Sequence, residues 1–394
     1  MGVISLTNQQ SKELLCTIAE KIQFIDETCV VHITMQQRIH QCPECSTHTS
    51  KVHGYRIQRV KHIPIGNPPV ILSIRKRRHV CPCCGKKFFE TIPFLPKYQR
   101  TSNALWAMAL FELSKTASMK SIVERLNVSA STTARILDKV NYPCTTLPSV
   151  ISIDEFKGNT GGRKFQCILT NPKEKKVLDI LPNRKGDTLY QYFSKFPDRN
   201  NIKYVVMDLS TLFRSLAKTA FPKAEIVADR FHALRLAIYA LEQVRKEAQK
   251  NFHTKRRRYF KHARTLLIKH KEKLDPEELE QVANMLSLSK ELAQAYHLKE
   301  LAYELFASLD VYTAKKKLLA FKMAVQVANL APFNKVASTY TQWEKEILNA
   351  FDVPFSNGYT EGCNNRIKVT KRVAYGMRNY ERFKKRILHT MVQY

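Results

Sequence analysis

Acidic residues are scarce in this sequence: 34 Asp and Glu stand against 65 Lys and Arg, a formal net charge of +31. A chain this positive surrounds itself with a field that attracts polyanions, and it releases counterions on meeting nucleic acid. Long apolar runs are also lacking. No stretch reaches the roughly 18 uninterrupted apolar residues of a membrane-spanning helix, so no such helix is expected. The segment from Met1 to Glu20 is polar and broken by Lys12 and Glu13; it does not read as a signal peptide, and a cytoplasmic protein is expected. No amphipathic anchor or lipidation signal accompanies the charge. That leaves nucleic acid as the leading partner, ahead of an anionic membrane or a ribosome. Internal repeats and low-complexity segments are absent too. With 394 residues and 44% hydrophobic content, the chain suits two or three ordinary globular domains.

What is present is basic charge along the whole length. Runs recur at Arg75-Lys76-Arg77-Arg78, Lys255-Arg256-Arg257-Arg258 and Lys384-Lys385-Arg386. Between Arg366 and Arg386 nine basic residues accompany a single acid, Glu381. Ten cysteines are present, and five of them, Cys42, Cys45, Cys81, Cys83 and Cys84, form two tight groups. In a reducing compartment that grouping favours metal binding over disulfides. Cys42-Pro43-Glu44-Cys45 and Cys81-Pro82-Cys83-Cys84-Gly85 read as paired knuckles. Two intervening residues let both thiolates face one tetrahedral ion, and Gly85 suits the tight turn below it. Cys42, Cys45, Cys81 and Cys84 are the expected ligands of a structural zinc. Cys83 competes for a place, and His40 or His79 offer substitutes.

The first 100 or so residues are rich in β-branched runs, and Val70 to Ile74 reads as a strand. From Ser102 to Val140 the apolar spacing turns helical. Within it, Met119 to Leu126, a turn at Asn127-Val128-Ser129, and a second helix capped by Ser129 resemble a helix-turn-helix. Ser131, Thr132 and Arg135 then lie near the start of a recognition helix, placed to contact DNA. Prolines 143 and 148 mark a boundary. Beyond it, strands are expected at 150–154, 165–169, 176–180, 204–208 and 224–228, with helices at 188–196 and 212–220. The order β-β-β-α-β-α-β is that of a ribonuclease H-like core. From His232 to about Asn349 nearly everything reads as helix, an insertion without a recognisable catalytic motif. It includes a start signal at Asp275-Pro276-Glu277-Glu278.

Three acids carry the chemistry. Asp154 and Asp208 each end an apolar run, so each projects from the end of a buried strand. Glu361 sits in Asn357-Gly358-Tyr359-Thr360-Glu361-Gly362-Cys363-Asn364-Asn365-Arg366-Ile367-Lys368. Thr360 is expected to cap a helix whose first turn holds Glu361, with Asn364, Asn365 and Lys368 on the same face. Converging carboxylates of this kind hold Mg²⁺ ions for phosphodiester cleavage. Asp229 is either a fourth acid of that group or the cap of the following helix. Glu155 faces away from Asp154 across the strand and is the poorer ligand.

Ile153-Asp154-Glu155-Phe156, Val206-Met207-Asp208, Ala228-Asp229-Arg230-Phe231-His232 and the segment from Asn357 to Lys368 resemble bacterial insertion-sequence transposases of the ISL-three group. Ala374-Tyr375-Gly376-Met377-Arg378-Asn379-Tyr380 adds to the likeness. The resemblance covers nearly the whole chain. It implies an α/β multidomain protein. A zinc-binding, β-rich module would span residues 1–100 and a helix-turn-helix 101–147. A ribonuclease H-like DDE domain would fill 148–394, with a helical insertion at about 232–350. It further implies that Asp154, Asp208 and Glu361 bind two Mg²⁺ (or Mn²⁺) ions. Asn364, Asn365, Arg366, Lys368, Lys371 and Arg372 would contact DNA. The implied partners are double-stranded DNA at the transposon ends and target, and a second copy of the chain, at the bacterial nucleoid. Two rivals stay open: a non-enzymatic DNA-binding regulator, and a nuclease that cuts without strand transfer.

Overall fold

The computed structural model describes residues 17–250, 253, 254, 257, 258, 260, 264–374 and 377–392. Most of the segment before Glu20, half of the basic run at 255–258, and Tyr375-Gly376 of the C-terminal motif lie outside the described residues. The chain divides into two compact units. One comprises residues up to Tyr142 together with those from Ile367 onward; the other is Pro143–Arg366.

The first unit opens with strands β1 (Thr17–Ile25), β2 (Thr28–Met35), β3 (His40–Gln41), β4 (His48–Thr49), β5 (Val52–His62), β6 (Val70–Val80) and β7 (Lys87–Phe89). The main sheet runs β1-β2-β6-β5, with β7 on β6. The β2–β6 pair is parallel and the rest antiparallel. Alternate residues of these strands, among them Ile33, Val60, Leu72 and Ile74, bury one face of the sheet with Phe94 and Leu95.

Helices α1 (Asn103–Ser114), α2 (Met119–Leu126) and α3 (Ala130–Asp138) follow. Each starts at a serine, Ser102, Ser118 or Ser129, whose hydroxyl accepts an N–H from the first turn. Asn127 ends α2 in the left-handed region at φ 48°. Its short polar side chain tolerates that backbone, which turns the chain sharply into α3. Leu105, Leu113, Ile122, Leu126, Ile136 and Leu137 form the core of the three helices. Sheet and helices are tied together. Lys61 and Arg100–Ser102 exchange backbone hydrogen bonds, and Lys61 Nζ donates to the Asn127 carbonyl at 2.8 Å.

In the second unit β8 (Val150–Phe156), β9 (Gln166–Asn171) and β10 (Lys176–Leu181) form an antiparallel meander. Helix α4 (Gly186–Phe193) leads to β11 (Tyr204–Met207), and α5 (Thr211–Ala220) to β12 (Glu225–Ala228). The sheet order is β10-β9-β8-β11-β12, with β8, β11 and β12 parallel. Helices α4 and α5 cover one face of the sheet and Ala350, Val353 and Phe355 the other, so β8 is buried along almost its whole length.

The helical stretch comprises α6 (Arg230–Lys250), α7 (Arg264–Ile268), α8 (Pro276–Leu286), α9 (Lys290–Phe306), α10 (Val311–Ala328), α11 (Ala331–Gln342) and α12 (Glu344–Asn349). Asp275 and Glu278 cap α8 reciprocally, as the sequence predicts. Phe321, Phe333, Tyr340 and Trp343 build a core of its own. The Tyr340 hydroxyl donates to the Ala233 carbonyl at 2.8 Å, and Arg214 of α5 pairs with buried Glu346 at 2.6 Å. The first bond ties α11 to α6 within the insertion, and the second moors α12 on α5 of the α/β core. Helix α13 (Gly358–Val373) follows, and the boundary between units falls inside it. In the first unit, α14 (Tyr380–Val392) returns to the α1–α3 bundle. Arg382 grips Asp138 with two 2.8 Å bonds, and Arg386 donates to the carbonyls of Lys115 and Ala117.

Candidate functional sites

The two cysteine knuckles adopt the same turn. Cys42 N–H donates to the Thr47 carbonyl and Cys81 N–H to that of Lys86; Ser46 and Gly85 each donate back to the first cysteine's carbonyl. Ser46 and Gly85 have φ of 59° and 71°, a conformation that favours glycine. These turns bring the Sγ atoms of Cys42, Cys45, Cys81 and Cys84 within 4.8 Å of one another. The pairs Cys45–Cys81 and Cys45–Cys84 lie 3.4 Å apart, and Cys42–Cys84 3.6 Å. Sulfurs about 2.3 Å from a central ion sit slightly under 4 Å apart in a tetrahedron, so the four fit zinc. Hydrogen bonding with Thr47 pulls the Cys45 thiol down to about 6, while contact with Cys45 pushes the neighbouring Cys84 thiol up, so a cation among the four is what would draw all of them to thiolates. Cys83 is exposed and stands outside the cluster. His40 and His79 also stand apart, gathered with Glu90.

In the second unit, parallel pairing sets the acids side by side. Ile153, Met207 and Ala228 share one register across β8, β11 and β12. The residue that follows each of these three is an aspartate: Asp154 within β8, Asp208 just past β11 and Asp229 just past β12. Adjacent strands are roughly 4.8 Å apart, so three carboxyl groups line one edge of the sheet. Helix α13 comes down on this edge. Asn364 donates to Asp154 Oδ2 at 2.8 Å, and Asn357 reaches the same oxygen at 3.5 Å. A buried hydroxyl network fixes the helix start: Ser152 donates to Asn357 at 2.5 Å and Thr360 to Ser152 at 3.0 Å, while Thr170 and Thr360 share a 2.8 Å bond.

Glu361, in the first turn of α13, faces His232 Nδ1 at 3.6 Å, and His232 Nδ1 lies 2.8 Å from Asp229 Oδ2. Ligand atoms of Asp229, His232 and Glu361 all lie within 4.8 Å. Burial pushes the Asp154 carboxyl up to about 6, and the Asp208 and Glu361 charges push the same way. Burial also raises Asp208, with Glu155 and Asp229 adding to it. The hydrogen bond to Asp229 raises His232. Asp208 Oδ1 is buried with no hydrogen-bond donor. Mutually repelling carboxylates and an orphaned buried oxygen are the environment that a divalent cation relieves.

Several expectations change in detail. Thr360 is not the helix cap: α13 begins at Gly358, and the Thr360 side chain turns inward to the buried hydroxyls. Asn364 is likewise buried, its amide on Asp154, while Asn365, Lys368 and Arg372 are exposed and Arg366 and Lys371 half-buried. Asp229 caps the start of α6, accepting the His232 N–H, and also lies beside Glu361. His232 is the residue that the sequence-based site omits; its signal was the i, i+3 spacing from Asp229. Glu155 turns to Arg184 at 2.6 Å. In the first unit Ser131 and Arg135 are exposed on α3, and Arg135 donates to the Thr132 hydroxyl at 3.3 Å.

Comparisons with known proteins identify the family. A DDE transposase family of the ISL3 group, described as transposase, matches residues 151–387. The zinc finger of IS204, IS1001, IS1096 and IS1165 transposases matches residues 38–87, which span all four clustered cysteines. The transposase for insertion sequence element IS1001 of Bordetella parapertussis is 26% identical over 366 residues, 90% of each chain. An ATP-dependent protease of Lactococcus lactis subsp. lactis is 41% identical over 56 residues, only 14% of this chain and 18% of that protein. That stretch is too short to carry its activity across. Among the described residues no helix is long and apolar enough to cross a membrane. The chain belongs to the ISL3 group of insertion-sequence transposases, DNA-processing enzymes with a zinc-binding N-terminal region and a DDE domain.

Proposed function

We propose that this transposase binds the terminal inverted repeats of its insertion sequence and performs Mg²⁺-dependent strand cleavage and strand transfer. Asp154, Asp208 and Glu361 would be its catalytic acids. The observation that supports the reading is the row of strand-end aspartates Asp154, Asp208 and Asp229, with Glu361 within 4.8 Å of Asp229 and His232 and its charge helping to hold the buried Asp154 at about 6. The strand order supports a ribonuclease H-like core for the catalytic part, and the serine-capped α2–α3 pair supports a helix-turn-helix. On this reading the zinc module ends near residue 100 and the helix-turn-helix near 147. The catalytic domain follows, with its helical insertion at about 232–350; its compact unit runs to Arg366, and the residues from Ile367 onward cluster with the first unit.

Two Mg²⁺ ions, held by Asp154, Asp208 and Glu361, would supply activation of the attacking oxygen and stabilisation of the leaving one. The chain's own residues set the stage. Asn364 and Asn357 hold the Asp154 carboxylate in one rotamer, and the buried Ser152–Thr360–Thr170 hydroxyls fix the start of α13, hence Glu361. Asp229 holds the His232 imidazole beside Glu361. In cleavage, water attacks phosphorus at the transposon end as the bond to the 3′ oxygen breaks, leaving a 3′-hydroxyl. In transfer, that hydroxyl attacks a target phosphodiester; one P–O bond forms as one breaks. Ser131, Thr132 and Arg135 would read the terminal repeat, and Asn365, Arg366, Lys368, Lys371 and Arg372 would hold phosphates. Pairing two ends calls for at least two copies of the chain on DNA.

The test supplies terminal-repeat duplex with Mg²⁺, then pre-cut ends with a target plasmid. Nicked ends and joined products are expected. Binding without nicking would favour a regulator, and nicking without joining a nuclease.

A further inference from the structure

We infer that the zinc-bearing sheet and the helix bundle of the first unit together form a seat for one sugar–phosphate strand of duplex DNA. The seat is a groove in which Arg59, Arg100 and Lys139 bind phosphates. This inference rests on the DNA-binding reading above and adds residues that lie outside the helix-turn-helix motif.

A cavity of about 860 Å³ opens between the end of β5, the segment leading to α1, and the first face of α3. Five cations line it: Arg59 and Lys61 from β5, Arg100 from the linker, and Arg135 and Lys139 at the end of α3. Among the described lining residues there is no Asp or Glu. All five are exposed, so their charges face solvent and are not spent on burial. The one acid of α3, Asp138, is engaged elsewhere, gripped by Arg382 through two 2.8 Å bonds. Lys61 Nζ is committed to the Asn127 carbonyl, and Arg135 is braced against Thr132. That leaves Arg59, Arg100 and Lys139 as the cations with most reach. Lys139 rests 4.8 Å over the Trp106 ring, which positions its ammonium at the rim.

The floor is apolar, with Val60, Val128 and Ile136 buried. A cationic rim above an apolar floor matches a nucleic-acid backbone, whose phosphates meet the rim while the deoxyribose carbons cover the floor. An acidic peptide would want polar partners for its amides along that floor. The backbone bonds between Lys61 and Arg100–Ser102 hold the two walls in fixed register. A strand seated here would run past the N-terminus of α3, where Ser129 and Thr132 also line the groove. The zinc module would thus act as one wall of a single DNA site rather than as a separate reader.

The test is the salt dependence of terminal-repeat binding by the full chain. Each phosphate contact contributes a slope of roughly 0.9 in log K against log salt. Arg59→Ala/Arg100→Ala/Lys139→Ala is expected to lower the slope by about two to three and to weaken specific and random duplex alike. Arg59→Lys/Arg100→Lys/Lys139→Arg is expected to keep the wild-type slope. Unchanged zinc content and melting temperature establish that both variants fold. Wild type that binds, beside an alanine variant with the same slope, overturns the groove and leaves the proposed function standing. A charge-preserving variant with the alanine variant's slope also overturns it. Wild type that fails to bind terminal-repeat DNA at all overturns the functional reading itself.

Discussion

Replacing Asp154 by asparagine should make the Mg²⁺-free protein more stable while destroying its activity. The Asp154 carboxyl is held at about 6 against an ordinary 3.8, chiefly by burial, with Asp208 and Glu361 adding repulsion. Because the folded value lies above the unfolded one, the native state takes up the proton more readily. Its ionised form is therefore a liability at neutral pH. The penalty is full above about 6 and fades as pH falls toward 3.8. Two pH units at 1.36 kcal/mol each put the penalty at up to about 3 kcal/mol near pH 7.5.

Asparagine removes the charge but brings an amide that would confront the Asn364 donor. The Asn364 Oδ1 is buried and lacks a hydrogen-bond donor, so turning that amide over restores the pairing. A net gain of about 1–3 kcal/mol remains, worth about 2–4 °C per kcal/mol in the melting of a unit this size. The assay is thermal melting in Mg²⁺-free buffer with zinc retained, at pH 7.5 and at pH 4.5. Asp154→Asn should melt higher at pH 7.5, with a much smaller advantage at 4.5. Mg²⁺ should raise the wild type and leave the variant nearly unchanged. A variant that melts at or below wild type at pH 7.5, with no Mg²⁺ response in either protein, would refute the reasoning.

Zinc content separates the cysteines. Cys83→Ser should keep one zinc per chain by elemental analysis, because its thiol stands outside the cluster, whereas Cys84→Ser should lose it together with DNA binding. Asn364→Ala removes the donor that favours the ionised form of Asp154. Its pKa should rise further, so the acid limb of the cleavage–pH profile should move upward and more Mg²⁺ be needed for half-maximal rate. An unshifted limb would mean that Asn364 does not position that carboxylate. Ser129→Ala deletes the cap of α3 and should cost about 1 kcal/mol in urea melts of the first unit, with weaker terminal-repeat binding.

Much of this was legible in the sequence, for identifiable physical reasons. Strands 150–156, 204–207 and 225–228 are short apolar runs buried on both faces, and a polar residue ends each apolar run. Thus Asp154, Asp208 and Asp229 could be placed before their pairing was known. The α2–α3 pair announced itself through Ser129 and the helix-breaking Asn127. The zinc cluster followed from spacing, but the exclusion of Cys83 needed the knuckle's backbone bonds. What sequence could not supply was long-range and polar. Ser152, Thr170 and Thr360 are 18 to 208 residues apart in pairs, and nothing local marks them as partners. The inward turn of Asn364 and Thr360 was hidden for the same reason: both look like solvent-facing positions until a sheet edge is placed beneath them. His232 opens a helix that otherwise reads as structural.

The central claim is that Asp154, Asp208 and Glu361 jointly hold the metal ions that cut DNA. Single-turnover cleavage of terminal-repeat duplex by wild type, Asp208→Asn and Glu361→Gln, with binding measured in parallel, tests it most directly. The account predicts a loss of about 10³-fold or more in cleavage for each variant, with affinity for DNA within a few-fold of wild type. Cleavage by Glu361→Gln or Asp208→Asn at close to the wild-type rate would contradict it.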